Sequence, residues 1–306
     1  MVKLSVVMSI YNGASTLVAT MDSILGQTMS EFELIAIDDG STDETRAILE
    51  RYAARDTRIR VIAQENSGLT RALIRGCAAA TAALIARHDC GDRSEPERFA
   101  MQCALFDDPE VVLASCSTRY IAPGGELMYV SEANDAGVRK SLLHDDMRTL
   151  RGLTHHGSAM FRRDAYQRAG GYRAEFRVAQ DLDLWIRLAK LGRIAVLPET
   201  LYEARIEVGA ISAERRDEQV ATAEIALRLR DEPLDDAQRA TLLQSAASVA
   251  RRRKQSRRRT EALTLYFIAS CLRRARNPAW FSYARRVVRR DPLLLRGWVL
   301  LLRRPR

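Results

Sequence analysis

Residues able to hold a ligand fall at the ends of apolar runs. Tyr11-Asn12 follows Leu4 to Ile10, Asp38-Asp39 follows Glu33 to Ile37, and Asp89 to Asp92 follow Ala83 to Arg87. A carboxylate so placed can accept hydrogen bonds from a nucleobase N–H or a ribose hydroxyl, and a tyrosine offers a stacking face. A plainer use exists, in which Asp38 opens a turn that Asp39-Gly40 completes. Further on, Asp181 and Asp183 open an amphipathic pattern with Leu182, Trp185, Ile186 and Ala189 on one face and Gly192 as its stop; an Asp at such a start also serves as an N-cap. His155 and His156 precede Gly157-Ser158, where imidazole can donate to phosphate or acceptor oxygens or simply sit on a surface loop.

The elements that position these residues alternate in type. The run Leu4 to Ile10 predicts a strand and Thr16 to Leu25 a helix. Strands follow at Glu33 to Ile37, Arg58 to Ala63, Ala83 to Arg87 and Val111 to Ser115. Helices are predicted up to Tyr52, with Ser41 or Thr42 as cap, then over Leu69 to Ala80 and Pro96 to Phe106. Strands alternating with helices imply right-handed crossovers and a largely parallel sheet covered on both faces. Ligands of such sheets sit beyond the carboxyl ends of the strands, so the three polar loops are expected to converge on one rim.

In four segments the chain resembles a known family. SVVMSIYNG, QTMSEFELIAIDDGSTDET, NSGLTRALIRGCAAATAALIARHDCGDRSEPERF and HHGSAMFRRDAYQRAGGYRAEFRVAQDLDLWIRLAKLG are similar, in order, to the motifs of family 2 glycosyltransferases of the GT-A fold, over about residues 3 to 212. The resemblance implies an α/β fold, Rossmann-like, with a mostly parallel sheet flanked by helices. It also implies transfer of a sugar from a UDP-, GDP- or dTDP-linked donor with inversion at the anomeric carbon. By resemblance Tyr11 and Asp39 hold the base, and Asn12, Asp38, Arg71, Arg87 and Asp89 line the donor side. The Arg87 guanidinium can pair with Asp38 or Asp39 or contact the donor, with a structural ion pair as the alternative.

His88-Asp89-Cys90-Gly91-Asp92 occupies the place of the family's metal-binding D-x-D, with Gly91 where the second Asp is expected. Asp89 and Asp92 are thus the implied ligands of a divalent cation, Mg²⁺ or Mn²⁺, which needs few protein carboxylates because diphosphate oxygens and water complete its shell. Such an ion neutralises charge on the departing diphosphate. The family places an acidic pair at positions 180 and 181 as general base. Only Asp181 survives here, Gln180 replacing its partner, with Asp183 the fallback. His155, His156, Asp183, Trp185 and Arg205 fall on the acceptor or diphosphate side, Arg205 preceding a loop with Gly209 and Ser212 that can close over the diphosphate.

Charge divides the 306 residues unevenly. Residues 251 to 306 carry 18 Lys+Arg against 2 Asp+Glu, whereas the first 250 are net −7. A composition of 47% hydrophobic and 28% charged residues excludes a disordered or collagen-like chain. The predicted division is a GT-A domain over 1–212 and a helical, Arg-rich region over 213–306. Five cysteines without a C-x-x-C pair predict reduced thiols. The start meets Asn12-Gly13 too soon for a signal peptide, and no run reaches the ~18 apolar residues of a membrane span.

Near the C-terminus, Asn277-Pro278 and Asp291-Pro292 mark two helix starts. Leu263, Phe267, Ile268 and Leu272 form one apolar stripe, and Trp280, Phe281, Ala284, Val287 and Val288 another, opposed by arginines. These faces are expected to lie in an anionic membrane interface, with packing on the protein as the alternative. RRRKQSRRR has no accompanying nucleic-acid motif, so no nucleic-acid partner is expected. The reading is a cytoplasmic enzyme, peripheral at the inner face of the membrane, adding a single sugar to a glycan or lipid-linked acceptor in cell-surface polysaccharide synthesis. The absence of Q-x-x-R-W argues against a processive enzyme. A catalytically silent nucleotide-sugar binding or scaffold protein is the alternative, motivated by Gly91 and Gln180. A nucleotidyltransferase fits less well, for lack of its Gly-rich first loop.

Overall fold

The computed structural model describes residues 2–208, 215–249 and 256–302. Its first half alternates as the sequence predicts: β1 (Leu4–Ile10), α1 (Ala14–Leu25), β2 (Phe32–Asp39), α2 (Thr45–Ala53), β3 (Ile59–Gln64), α3 (Leu69–Ala79) and β4 (Leu84–Asp89). These strands run parallel in the order β3-β2-β1-β4. Because successive strand side chains point to opposite faces, β1 feeds two cores. Leu4, Val6, Met8 and Ile10 pack with Leu17, Met21 and Ile24 of α1 and with Ile48 and Leu49 of α2. Val7 joins Ile35 and Ile37 of β2 against Ala72, Leu73 and Cys77 of α3. The register pairs Ile10 with Asp38 and Ser9 with Asp89, which sets the carboxyl ends of β1, β2 and β4 at one level.

Beyond β4 the sheet becomes mixed. A short β5 (Arg93–Ser94) leads to α4 (Arg98–Ala104), a 3₁₀ turn (Leu105–Asp107), β6 (Val111–Ile121) and β7 (Leu127–Ser131). Then come α5 (Asp135–His144), β8 (Met160–Arg162), α6 (Arg163–Arg168), α7 (Gln180–Ala189) and β9 (Arg193–Arg205). Strand β8 lies between β4 and β6, antiparallel to both, and the order continues through β9 to β5, these two also antiparallel. Gly192 is not the stop of α7, which ends at Ala189. A Cβ at Gly192 would meet the Glu110 carbonyl at 2.5 Å, so the glycine permits a close approach of chains.

The chain forms two compact units, one of Met1–Thr118, Glu132–Glu203 and Ala221–Val249, the other of Arg119–Ser131, Ala204–Val220 and Ala250–Arg306. This differs from a division at residue 212. Helices α8 (Arg216–Asp231) and α9 (Asp236–Ser248) contribute Ala226, Leu227, Leu229, Leu242 and Ala246 to the core of the first unit. The second unit holds α10 (Arg257–Arg274), α11 (Trp280–Arg290) and α12 (Leu295–Leu302). Their predicted stripes are largely turned inward: Ile268, Leu272, Trp280, Ala284 and Val287 are buried together, while Phe267 and Phe281 stay exposed. Asn277 and Asp291 accept from the N–H groups of Ala279 and Leu293, opening turns just ahead of α11 and α12 and not capping the helices themselves.

Candidate active site

The donor side begins with the loops after β1 and β2. The Asn12 N–H donates to Ser41 Oγ at 3.0 Å, and Asn12 Oδ1 accepts the Thr42 N–H at 2.8 Å. Ser41 and Thr42, expected as caps of α2, therefore tie the two loops together, and α2 begins later, at Thr45. Asp38 Oδ1 accepts the Ser41 N–H at 3.0 Å, which realises the turn role. Asp39 reaches the loop after β3, where Oδ1 accepts from Ser67 N at 2.9 Å and Gln64 Nε2 at 2.6 Å, and Oδ2 from Gly68 N at 2.9 Å. Gly40 follows the two aspartates at φ 75°, and a Cβ there would stand 2.7 Å from the Asn66 nitrogen. Tyr11 remains 54% exposed at the rim, its ring free to stack. Arg71 is exposed in the first turn of α3.

At the end of β4, Arg87 is fully buried and forms a structural ion pair with Asp89, leaving Asp38 and Asp39 to other partners. Its guanidinium donates to the Val7 carbonyl and to Asp89 Oδ1, each at 2.5 Å. Burial alone would raise the Asp89 pKa, but the Arg87 guanidinium beside it holds the carboxyl well below the usual range. Gly91 takes φ 101°, a conformation that side-chain-bearing residues rarely adopt, and its N–H donates to Thr20 Oγ1 at 3.0 Å. The chain then turns Asp92 inward, where it is buried.

His155 completes this cluster. Its Nδ1 lies 3.7 Å from Asp92 Oδ2 and 3.9 Å from Asp89 Oδ2, and one ligand atom from each of the three residues falls within 4.8 Å of the others. Two carboxylates and a neutral imidazole form a donor set suited to a divalent cation. Burial depresses the His155 pKa, which favours the neutral ring that a ligand needs. The Gly157 N–H donates to the same Nδ1 at 3.0 Å, so an ion would compete with that amide. The sequence reading placed His155 on the acceptor side and did not find it as a partner of Asp89 and Asp92, for which its separation in the chain gave no signal.

The same reading missed two buried residues behind the cluster. Tyr202 of β9 is fully buried; its hydroxyl donates to Asp92 Oδ2 at 2.9 Å and accepts the Asp89 N–H at 3.1 Å. Arg98 of α4, also fully buried, donates to the carbonyls of Arg87 and Gly157 at 3.0 and 2.9 Å, with its guanidinium 4.8 Å from the centre of the Tyr202 ring.

On the far side, Ala179 sits at φ 54° immediately before α7 and delivers two carboxylates in the first turn. They differ in kind. Asp183 is 3% exposed and clasped by Arg173 at 3.0 Å and Arg187 at 2.5 Å, so it braces the helix. Asp181 is half-buried and accepts the Leu182 N–H at 2.9 Å. Burial pushes its pKa up, and Asp89 adds to the effect, so its carboxylate is a stronger base than an ordinary exposed aspartate. His156 Nε2 lies 2.8 Å from the Tyr172 hydroxyl and its ring meets the Trp185 edge; burial takes its pKa down to about 3. Trp185 is itself buried and packs against Gly152, as a wall and not an open platform. Arg205 ends β9 in the second unit, and the Gly209 to Ser212 loop lies outside the described residues.

Residues 5–170 match the profile of glycosyl transferase family 2. EpsE of Bacillus subtilis strain 168, named as a glycosyltransferase, is 34% identical over 210 residues, 66% of this chain and 73% of that one. The amylovoran biosynthesis glycosyltransferase AmsE of Erwinia amylovora is 28% identical over 209 residues, 66% and 75% of the two chains. Among solved structures, the mannosyltransferase PcManGT of Pyrobaculum calidifontis, in complex with GDP-Man and Mn²⁺, superposes with a TM-score of 0.58 at 18% identity, over 98% of this chain and 87% of that one. S. aureus TarS 1-349 in complex with UDP-GlcNAc gives 0.58 at 17%, over 98% and 89%. At that identity the likeness is one of fold, the GT-A arrangement. With the profile spanning more than half its length, and relatives that include enzymes of polysaccharide biosynthesis, the chain belongs to glycosyl transferase family 2 and is a glycosyltransferase.

Proposed function

We propose that the enzyme transfers a single sugar, with inversion, from a nucleoside diphosphate donor to a glycan or lipid-linked acceptor in cell-surface polysaccharide synthesis. The observation that carries this reading is the division of labour between carboxylates: Asp89 and Asp92 gather around His155, whereas Asp181, in no arginine ion pair among the described residues, has its pKa raised by burial. Asp181 takes the proton from the acceptor hydroxyl as that oxygen attacks the anomeric carbon and the nucleoside diphosphate departs from the opposite face. Tyr11 stacks on the base, and the loop amides fixed by Asp38 and Asp39 frame the ribose. The donor is UDP-, GDP- or dTDP-linked; bound GDP-Man and UDP-GlcNAc in the two structural neighbours support a nucleotide sugar.

A divalent cation, Mg²⁺ or Mn²⁺, would be held by Asp89, Asp92 and His155 and would supply electrostatic stabilisation of the leaving diphosphate. His156 serves the diphosphate and acceptor side. The second unit is proposed to bring the enzyme to the cytoplasmic face of an anionic membrane. Among the described residues no helix is long and apolar enough to cross one. Exposed arginines 285, 286, 289, 290 and 296 accompany an apolar edge of Leu293, Leu295, Trp298, Val299 and Leu302.

A screen of nucleotide sugars by thermal shift, with and without Mn²⁺, tests the reading. One donor should raise the midpoint more with the ion than without it. Flat responses to every donor would replace the reading with that of a silent scaffold.

A further inference from the structure

We propose that Tyr202 is the positioning residue of the metal site, fixing Asp92 and His155 in the geometry that a divalent cation requires. The inference rests on the reading of Asp89, Asp92 and His155 as cation ligands and extends it to a residue far along the chain, on β9.

Tyr202 touches all three members of the cluster in different ways. Its hydroxyl donates to Asp92 Oδ2 at 2.9 Å, which selects one orientation of that carboxylate. The same oxygen accepts the Asp89 N–H at 3.1 Å, which pins the backbone where Asp89 leaves β4. Its ring stacks on the His155 imidazole, centroids 5.3 Å apart and planes 25° from parallel. A fully buried phenol with both hydrogen-bonding roles filled has no freedom to adjust. Its position is over-determined from behind by Arg98, whose guanidinium lies 4.8 Å from the ring centre and also holds the Gly157 carbonyl at 2.9 Å. Gly157 closes the frame. A Cβ there would stand 2.0 Å from the Tyr202 hydroxyl and 3.1 Å from Asp89 Oδ2, so the loop after His155 passes over the tyrosine only because this residue has no side chain.

Outer partners that orient ligands typically contribute 10- to 100-fold to metal affinity. Phenylalanine at position 202 keeps the ring, and with it the stack on His155, but removes the hydroxyl that sets Asp92 and Asp89. Alanine at 157 leaves Tyr202 intact but drives its hydroxyl from its place. The two variants reach the same atoms by different routes.

The test is Mn²⁺ binding to the full-length chain, followed by the electron paramagnetic resonance of free Mn²⁺, for the parent protein, Tyr202→Phe and Gly157→Ala. UDP and GDP binding without metal is measured alongside, together with thermal unfolding without metal. Both variants should bind Mn²⁺ about tenfold more weakly or worse, with metal-free nucleotide affinity unchanged. A fall in both affinities in both variants would mean general damage and overturn the positioning role. So would parent-like Mn²⁺ affinity in Tyr202→Phe. If the parent itself binds no Mn²⁺, the metal reading fails first, and the positioning role falls with it.

Discussion

Nδ1 of His155 stands 3.7 Å from Oδ2 of Asp92, joining the loop before β8 to the loop after β4 at one point. On the proposed metal reading, this pairing lets the site do without a carboxylate at position 91, since the imidazole would provide a third donor. His155→Ala should weaken Mn²⁺ binding by at least the roughly tenfold typical of an outer partner, read by titration of the metal. Nucleotide binding without metal should hold.

Gly91 makes the complementary prediction. Restoring the family's aspartate with Gly91→Asp should not improve the site. At φ 101° a side chain costs on the order of 1–3 kcal/mol, so the variant should melt lower and bind Mn²⁺ no better than the parent. Thermal unfolding and metal titration check the two halves.

The two aspartates of α7 should respond in opposite directions. Asp183 neutralises two largely buried guanidiniums, so Asp183→Ala should destabilise the protein by about 3–5 kcal/mol. Asp181 has a folded-state pKa raised above its unfolded value, so its charged form opposes folding. That cost is absent below the ordinary carboxylate pKa and grows as pH rises through the folded value. Asp181→Asn should therefore raise the melting temperature at pH 7, with the gain vanishing toward pH 3. Urea or thermal denaturation across pH separates the pair.

For the second unit, Trp280 and Trp298 separate stability from the proposed membrane contact. Trp280 is buried, so Trp280→Ala should cost about 3–5 kcal/mol of stability. Leu293 and Leu302 are 85% and 79% exposed, and Trp298 is 44% exposed. Replacing these three by Ser should leave unfolding nearly unchanged but abolish the salt-resistant part of sedimentation with anionic vesicles. High salt should remove the electrostatic part in the parent.

The convergence of three polar loops was legible in the sequence because it follows from strand alternation alone, and the register of Ile10 with Asp38 and Ser9 with Asp89 realises it. That Asp89 and Asp92 lie together could be read because they are close in sequence. What could not be read were contacts made by distant segments: His155 and Tyr202 on Asp92, and Arg98 behind them, carry no local pattern. Arg87 makes the structural ion pair that was one of its open readings, but its partner Asp89 could not be read, since that bond depends on how β4 ends. In the second unit the periodicity located the helices, but a stripe does not say what covers it, and most of these stripes cover one another. Ser41 and Thr42 have the chemistry of caps, yet loop-to-loop bonds with Asn12 took precedence.

The central claim is that Asp181 is the base of a glycosyl transfer. The most direct measurement is the rate of sugar transfer by Asp181→Ala beside the parent, with donor affinity measured on both. The account predicts a loss of about 10²–10⁴-fold in turnover with donor binding retained. Turnover equal to that of the parent would contradict it.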